Sequence, residues 1–314
     1  MYDWIKFEPK ASGEPMAIPK RRRGNPLLKI IPSLLIPLVS LFIPSDLGTG
    51  TLPQQIPAAI HRHGFFDLNP KTNFNPSRYV QALIEHRAES IMSIPSHRQY
   101  FEKVLSKLSR AKDTLESTRY EDNFVMAHSA VECMGEFDAR SPTGPVGIVQ
   151  LAKATAMERG VPINSYYDGR KNPEDALEGY DRHMELIANL PGVGNSLEKA
   201  LAAYHNGLGY YDRSGIGDLE GHALFDAIDP RVQWYIIEVG AVKRLLDRFE
   251  LVYEQQPLLT EKISKRKRPV KRGETIYAIG RKEGIPPREI LDVNRGLNQN
   301  KVPVGYLLRM PKTD

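Results

Sequence analysis

The chain has 314 residues, with 43 Lys and Arg against 38 Asp and Glu, a formal net charge of +5 and an ordinary 41% of hydrophobic residues. That length and apolar fraction suit one sizeable domain with a buried core plus a small one. With Cys133 as its single cysteine, the chain can form neither an internal disulfide nor a multi-cysteine metal site. The small basic excess favours an acidic partner, whether anionic wall, membrane surface or nucleic acid, without choosing among them.

Residues 1–26 are polar and basic, with the run Lys20-Arg21-Arg22-Arg23. Residues 27–43 are apolar except for Lys29, Ser33 and Ser40, and are interrupted by Pro32 and Pro37. As a helix they would reach roughly 26 Å, just under the ~30 Å hydrocarbon core of a bilayer. A basic run ahead of an apolar one favours a cytoplasmic N-terminus, and no small-x-small cleavage pattern follows. The expectation is a transmembrane signal anchor, with a buried hydrophobic segment as the bland alternative. Residues 44–75 carry many Pro, Gly and Asn and read as a linker.

From 76 to 250 the pattern is helical. Apolar residues recur at spacings of three and four over Tyr79–Ile94, Tyr100–Glu116, Asn123–Met134, Glu174–Ala188, Ser196–Tyr204 and Pro230–Phe249. The fold class is therefore mainly α. Residues 251–268 read as a second, basic linker ending in Lys262, Lys265, Arg266, Lys267 and Arg268, a run expected to be a solvated tether or to adhere to anionic polymers. Residues 269–312 change character. An extended Pro269-Val270, a capped helix near Glu274-Thr275, a second helix at Pro286-Pro287 and an extended Tyr306–Met310 give a small α+β unit of βααβ order.

The chemistry concentrates in residues 131–150. An apolar helix with Phe124, Val125, Ala127, Ala130 and Val131 delivers Glu132 near its C-terminal end, ahead of a Gly- and Pro-rich loop ending in Gly147-Ile148-Val149-Gln150. The negative end of the helix dipole and apolar neighbours both favour a protonated carboxyl, as a general acid for glycoside cleavage requires. Glu136 and Asp138 are the nearest other carboxylates, and Glu136 could share a helix face with Glu132. His128, one turn earlier, reads as a structural helix histidine.

This stretch resembles the soluble-lytic-transglycosylase family, whose core is goose-type-lysozyme-like and whose pattern is Glu-Ser, Ala-x-Ser, Gly-x-x-Gly-Leu-x-Gln. Glu132 takes the acid position, Ala139-Arg140-Ser141 follows seven residues on, and Gly144, Gly147 and Gln150 complete the loop. Ala203-Tyr204-His205-Asn206-Gly207 resembles the family's Ala-Tyr-Asn-x-Gly, and Asp168-Gly169-Arg170-Lys171-Asn172-Pro173 resembles a turn of the membrane-bound D-type branch. The likeness covers roughly residues 120–248. Cys133 stands in place of the family serine, Pro145 in place of alanine and His205 in place of asparagine, and Val232-Gln233-Trp234-Tyr235 lacks the acid of the family's Glu-Thr before a tyrosine.

The resemblance implies a lysozyme-like transglycosylase domain with Glu132 as single acid/base and Ser141, Gln150, Tyr204, His205 and Asn206 as substrate contacts, with no metal and no cofactor. Tyr204 is expected to steer the glutamate. Residues 269–312 resemble a LysM module, a binder of N-acetylglucosamine-containing glycans, on Val270, Gly273-Glu274-Thr275-Ile276, Ile279, Gly284-Ile285, Ile290-Leu291, Asn294, Gly305, Leu307-Leu308 and Pro311. Together they imply a polysaccharide lyase acting on peptidoglycan glycan strands outside the cytoplasm, in the periplasm or cell wall, anchored in the inner membrane or exported, with no nucleic-acid partner. A wall-binding protein without turnover and a hydrolase of the same fold are the alternatives.

Overall fold

The computed structural model describes residues 71–248 and 256–312. The expected basic N-terminus and signal anchor, and the linker up to residue 70, lie outside the described residues. Among the described residues no helix is long and apolar enough to cross a membrane.

Among the described residues, ten helices build the larger part: α1 (Arg78–Ser93), α2 (Pro95–Leu108), α3 (Lys112–Leu115), α4 (Asp122–Cys133), α5 (Lys153–Glu158), α6 (Pro173–Ala188), α7 (Leu197–Asn206), α8 (Leu208–Ser214), α9 (Gly221–Ala227) and α10 (Pro230–Arg248). Side-chain caps start several of them: Ser77 for α1, Asn172 for α6 and Ser196 for α7 each accept a first-turn N–H. Pro95 starts α2 and holds Ile94 extended (φ −100°, ψ 108°), so α1 stops at Ser93. The apolar pattern of Tyr100–Glu116 is not one helix. It breaks into a 3-10 turn at Ser109–Ala111, where the buried Ser109 hydroxyl bonds back to the Ser106 carbonyl at 2.8 Å.

Helix α4 is the hub. Phe124 through Val131 are all buried, so the helix is enclosed on every side. Helix α10 packs against both α4 and α1. Gly240 permits the α10–α1 approach, since a Cβ there would meet Ile84 at 2.3 Å. Between the same two helices lies a buried ion pair, Arg87 Nε to Glu238 Oε1 at 2.6 Å. Each large apolar side chain fully buried around α4, such as Phe124, Leu105 and Ile148, contributes about 1.5–3 kcal/mol.

Two stretches expected as linkers are structured. Residues 71–75 join the helical core: Thr72 bridges to Tyr120, Asn75 bridges to Ser196, and buried Phe74 stacks on Tyr120 with ring centroids 5.8 Å apart. The basic run forms strand β1 (Ile263–Pro269), paired antiparallel with β2 (Leu307–Pro311) in the register Lys267↔Arg309 and Arg268↔Leu308. Charge neutralisation explains how that run becomes a strand. Arg268 forks onto both Glu274 oxygens at 2.9 and 2.7 Å and also reaches Glu283, while Arg266 pairs with Glu283. Arg268 in turn holds the Glu274 carboxyl down at about 2.

Between the strands lie α11 (Ile276–Glu283), capped by Thr275, and α12 (Pro287–Asp292). Val270, Ile276, Ile279, Ile285, Ile290, Leu308 and Met310 form their small core. Asn294 lies beyond the end of α12 and ties that helix to β2, donating to the Ile290 and Arg309 carbonyls at 2.7 Å each and accepting from the Arg309 N–H at 2.9 Å.

Candidate active site

Glu132 occupies the last turn of α4. The helix ends at once, because Met134 adopts a left-handed conformation (φ 52°) and Gly135 follows at φ 79°. The Glu132 side chain is 14% exposed, enough to meet a ligand while resting on the core. The Tyr235 hydroxyl, from α10, donates to Glu132 Oε1. His128 Nε2 lies 2.5 Å from the Tyr235 oxygen and 3.6 Å from Glu132 Oε1, and His128 Nδ1 lies 2.8 Å from the Tyr180 hydroxyl on α6. Burial pushes the Tyr180, Tyr204 and Tyr235 phenols well above the usual range, so all three keep their protons.

The loop after Glu132 is fixed by Arg170. This buried guanidinium forks onto Asp168 (2.9 and 2.8 Å) and donates to the Gly144 and Leu151 carbonyls, each at 3.2 Å. Arg170 and Asp168 are therefore more than a turn pair. Gly147 sits against the Arg170 backbone at φ 93°, where a Cβ would lie 1.6 Å from the Arg170 oxygen, so no other residue fits.

The expected substrate contacts are brought to one region with different commitments. The Ser141 hydroxyl is 3.0 Å from Thr143 Oγ1 inside its own turn. Gln150, held at φ 46°, donates to the Ala139 and Gly147 carbonyls at 3.1 and 2.8 Å. Tyr204 donates to the Val149 carbonyl at 2.5 Å and sets its ring edge-on to His128 at 4.6 Å. It braces the loop, and the tyrosine that holds Glu132 is Tyr235. His205 packs on the Tyr235 ring at 4.8 Å, and burial lowers its pKa, so it is neutral at pH 7. The Asn206 amide nitrogen is buried and has no hydrogen-bond partner among the described residues.

Cys133, next to Glu132, is buried in the core. It is 2% exposed, and burial pushes its thiol up to about 12. Glu136 lies beyond the helix, exposed and paired with Lys107. Reasoning from sequence missed His128, Tyr180 and Tyr235 as neighbours of Glu132. His128, four residues earlier on the same face, was the one local signal. A cavity of about 360 Å³ lies elsewhere, and its carboxylates are engaged: Asp113 with Thr260, Glu174 with Arg309, Glu178 with Arg182 and Asp181 with Arg119.

The βααβ unit docks beside the loop. The Asp168 N–H donates to the Gly296 carbonyl at 2.9 Å and the Asn298 N–H donates to Tyr166 at 2.6 Å. Arg309 pairs with Glu174 at 2.9 Å, and the Arg295 guanidinium lies 5.1 Å over Phe137 of the loop. Gly296 is at φ 88°, and a Cβ there would meet the Asp168 oxygen at 2.5 Å. Gly296→Ala is expected to loosen this contact, read as an increased radius of gyration in solution scattering; an unchanged radius would show the contact to be dispensable.

Fold and site thus define a mainly α, lysozyme-like domain with one acid at a helix end, followed by a small α+β module. Residues 111–216 match the family model of the transglycosylase SLT domain, residues 270–311 match that of the LysM domain, and the chain carries these two domains in that order. Among solved structures, the chain is similar to an inactive mutant of the lytic transglycosylase Slt from Pseudomonas aeruginosa, at 17% identity and a TM-score of 0.37, over 48% of this chain. The match spans only 24% of that protein. No curated protein matches the chain.

Proposed function

We propose that the protein is a peptidoglycan lytic transglycosylase that cleaves the β-1,4 bond between N-acetylmuramic acid and N-acetylglucosamine without water. The observation that carries this reading is Glu132, a single partly exposed carboxyl fixed by Tyr235, with its near acidic neighbour Glu136 turned outward and paired with Lys107. Two-carboxylate glycosidases need a second acid facing the bond. Here protonated Glu132 gives its proton to the glycosidic oxygen as the bond to C1 breaks, and the substrate's own 2-acetamido group stabilises the cationic carbon. Ionised Glu132 then takes the proton of the C6 hydroxyl, whose oxygen closes on C1 and leaves a 1,6-anhydro end.

Asn206, with its unpartnered amide, and His205, a neutral ring at the site, are the sugar contacts best supported, and Ser141, Gln150 and Tyr204 shape the loop that receives the strand. The LysM module holds glycan strands near the cleft. The reaction places the protein outside the cytoplasm, in the periplasm or wall, and the apolar segment 27–43 is proposed as its membrane anchor. Burial of Cys133 in the core removes one ground for a protein without turnover. Digestion of purified sacculi, read by mass spectrometry, tests the reading. Anhydro-muropeptides are expected, products one water heavier would indicate a hydrolase, and sacculus binding without soluble product would overturn the enzyme.

A further inference from the structure

Three polar groups run in single file behind the acid Glu132: Tyr180, His128 and Tyr235. They come from three helices, α6, α4 and α10, and His128 and Tyr180 are completely buried. The direction of each hydrogen bond follows from what its members can donate. The Tyr180 hydroxyl has His128 Nδ1, at 2.8 Å, as its hydrogen-bond partner among the described residues. A phenol is one donor, and leaving it without an acceptor in the core is costly. Tyr180 therefore donates, and Nδ1 is the bare nitrogen. The proton of the imidazole is then on Nε2, which donates to the Tyr235 oxygen 2.5 Å away. With its oxygen already accepting, the Tyr235 O–H points on to Glu132 Oε1.

From this geometry we infer that His128 is a positioning residue for the reaction, a one-way relay of hydrogen bonds that fixes Glu132 Oε1 as an acceptor and leaves Oε2 as the oxygen that carries and returns the transferred proton. This rests on the transglycosylase reading given above. The relay gives the two carboxyl oxygens different tasks. Without it, Tyr235 can turn its proton toward another acceptor and the carboxyl can rotate, so the acid proton is not presented on one oxygen. Each bond in such a chain also polarises the next, which strengthens the last donor.

The groups facing this chain do not compete for it. Tyr204 on α7 gives its proton to Val149, and its phenol and that of Tyr235 remain protonated. His183 on α6, lowered to about 4 by burial, and His205 on α7, lowered by burial, are neutral near pH 7. The Cys133 thiol, pushed up to about 12, also keeps its proton.

Nitrogen-15 NMR of the full chain labelled at histidine reads the relay directly, with the His128 signal assigned by its loss in His128→Gln. The expected ring has a bare Nδ1 and a protonated Nε2. A proton on Nδ1, alone or together with one on Nε2, overturns the proposal whether or not the protein turns over glycan. In kinetics on soluble glycan strands, His128→Phe is expected to lower kcat at least tenfold with KM within about twofold. His128→Gln recovers most of that loss, because one amide can accept from Tyr180 and donate to Tyr235. Equal activity of His128→Phe and wild type, or no recovery by His128→Gln, overturns the role. Should His128→Phe fail to fold, Tyr180→Phe removes one hydroxyl only. It frees Nδ1 to take the proton, so a mixture of tautomers is expected, and an unchanged single tautomer counts against the relay. A wild type that releases no product would instead sink the transglycosylase reading, with the NMR result still deciding the relay.

Discussion

Glu132→Gln is expected to keep the fold and to reduce release of anhydro-muropeptides from sacculi by on the order of 10²–10⁴-fold, the usual worth of a general acid–base group. The amide has the shape of the carboxyl and retains an oxygen that can accept from Tyr235, so the packing of α4 and α10 has no reason to change. What is lost is the transferable proton. The same group serves twice, first as acid to the leaving oxygen and then as base to the C6 hydroxyl, so both half-steps fail together. The measurement is product mass and amount beside a circular-dichroism melt. Release at the wild-type rate from a folded variant would remove Glu132 from the mechanism.

The second large effect is expected at Arg170. Its guanidinium is the only group among the described residues that ties Asp168, Gly144 and Leu151 together. Arg170→Ala leaves the half-buried Asp168 carboxylate without its cation, the Gly144 carbonyl without a donor and the Leu151 carbonyl with the Val146 N–H alone, and a loss of about 3–5 kcal/mol in unfolding free energy is expected for breaking such a pair. Arg170→Lys keeps the charge but not the fork, so it should recover only part of this loss. Denaturant titration of the three proteins checks the order.

A pH dependence follows from the same pair. Burial opposes ionisation of Asp168, but the Arg170 hydrogen bonds and charge outweigh burial and hold its pKa below the ordinary carboxylate value. A group whose folded pKa is depressed stabilises fully above its unfolded value, near 3.9, and that stabilisation is lost as pH falls through the folded value. The stability gap between wild type and Arg170→Ala should therefore be constant near neutrality and shrink below about pH 4. A gap that is small at pH 7, or constant into acid, would show that Arg170 does not clamp the loop.

The sequence made Glu132 and its loop readable because both are local. The helix period, the glycines that alone tolerate the loop's backbone and the spacing to Ser141 and Gln150 all lie between Phe124 and Gln150. The support behind Glu132 was not readable, since Tyr235 is 103 positions away and nothing short-range announces that α10 packs against α4. His128 was visible but mute, because a helix histidine gains meaning only from the tyrosines of other helices. Strand β1 was hidden for a different reason. A run of Lys and Arg reads as solvated chain until Glu274 and Glu283, further along its own unit, supply the opposite charge to Arg266 and Arg268. The break at Ser109 depended on one hydroxyl choosing a backbone carbonyl, a choice that hydrophobic periodicity does not record. The 71–75 segment looked like linker by composition, yet Phe74 packs it among Tyr120 and Phe124 and backbone bridges at Thr72 and Asn75 hold it.

The docked LysM module has a bearing on folding cooperativity. Seven buried hydrophobics make a small core, and units of that size are marginal when they stand alone. The bridge from Gly296 to Asp168, the Arg309–Glu174 pair and Arg295 over Phe137 add free energy that the module lacks by itself. The coupling runs both ways. When the module opens, Asp168 loses the acceptor of its N–H and Phe137 loses one of the two guanidinium groups over its ring, keeping Arg110, and both belong to the framework that shapes the loop beside Glu132. Local unfolding of the smaller part thus reaches the acid by two routes, along the chain from Phe137 and through the Arg170 hydrogen bonds that join Asp168 to Gly144, and the module's fraying sets a floor under how rigid that loop can be.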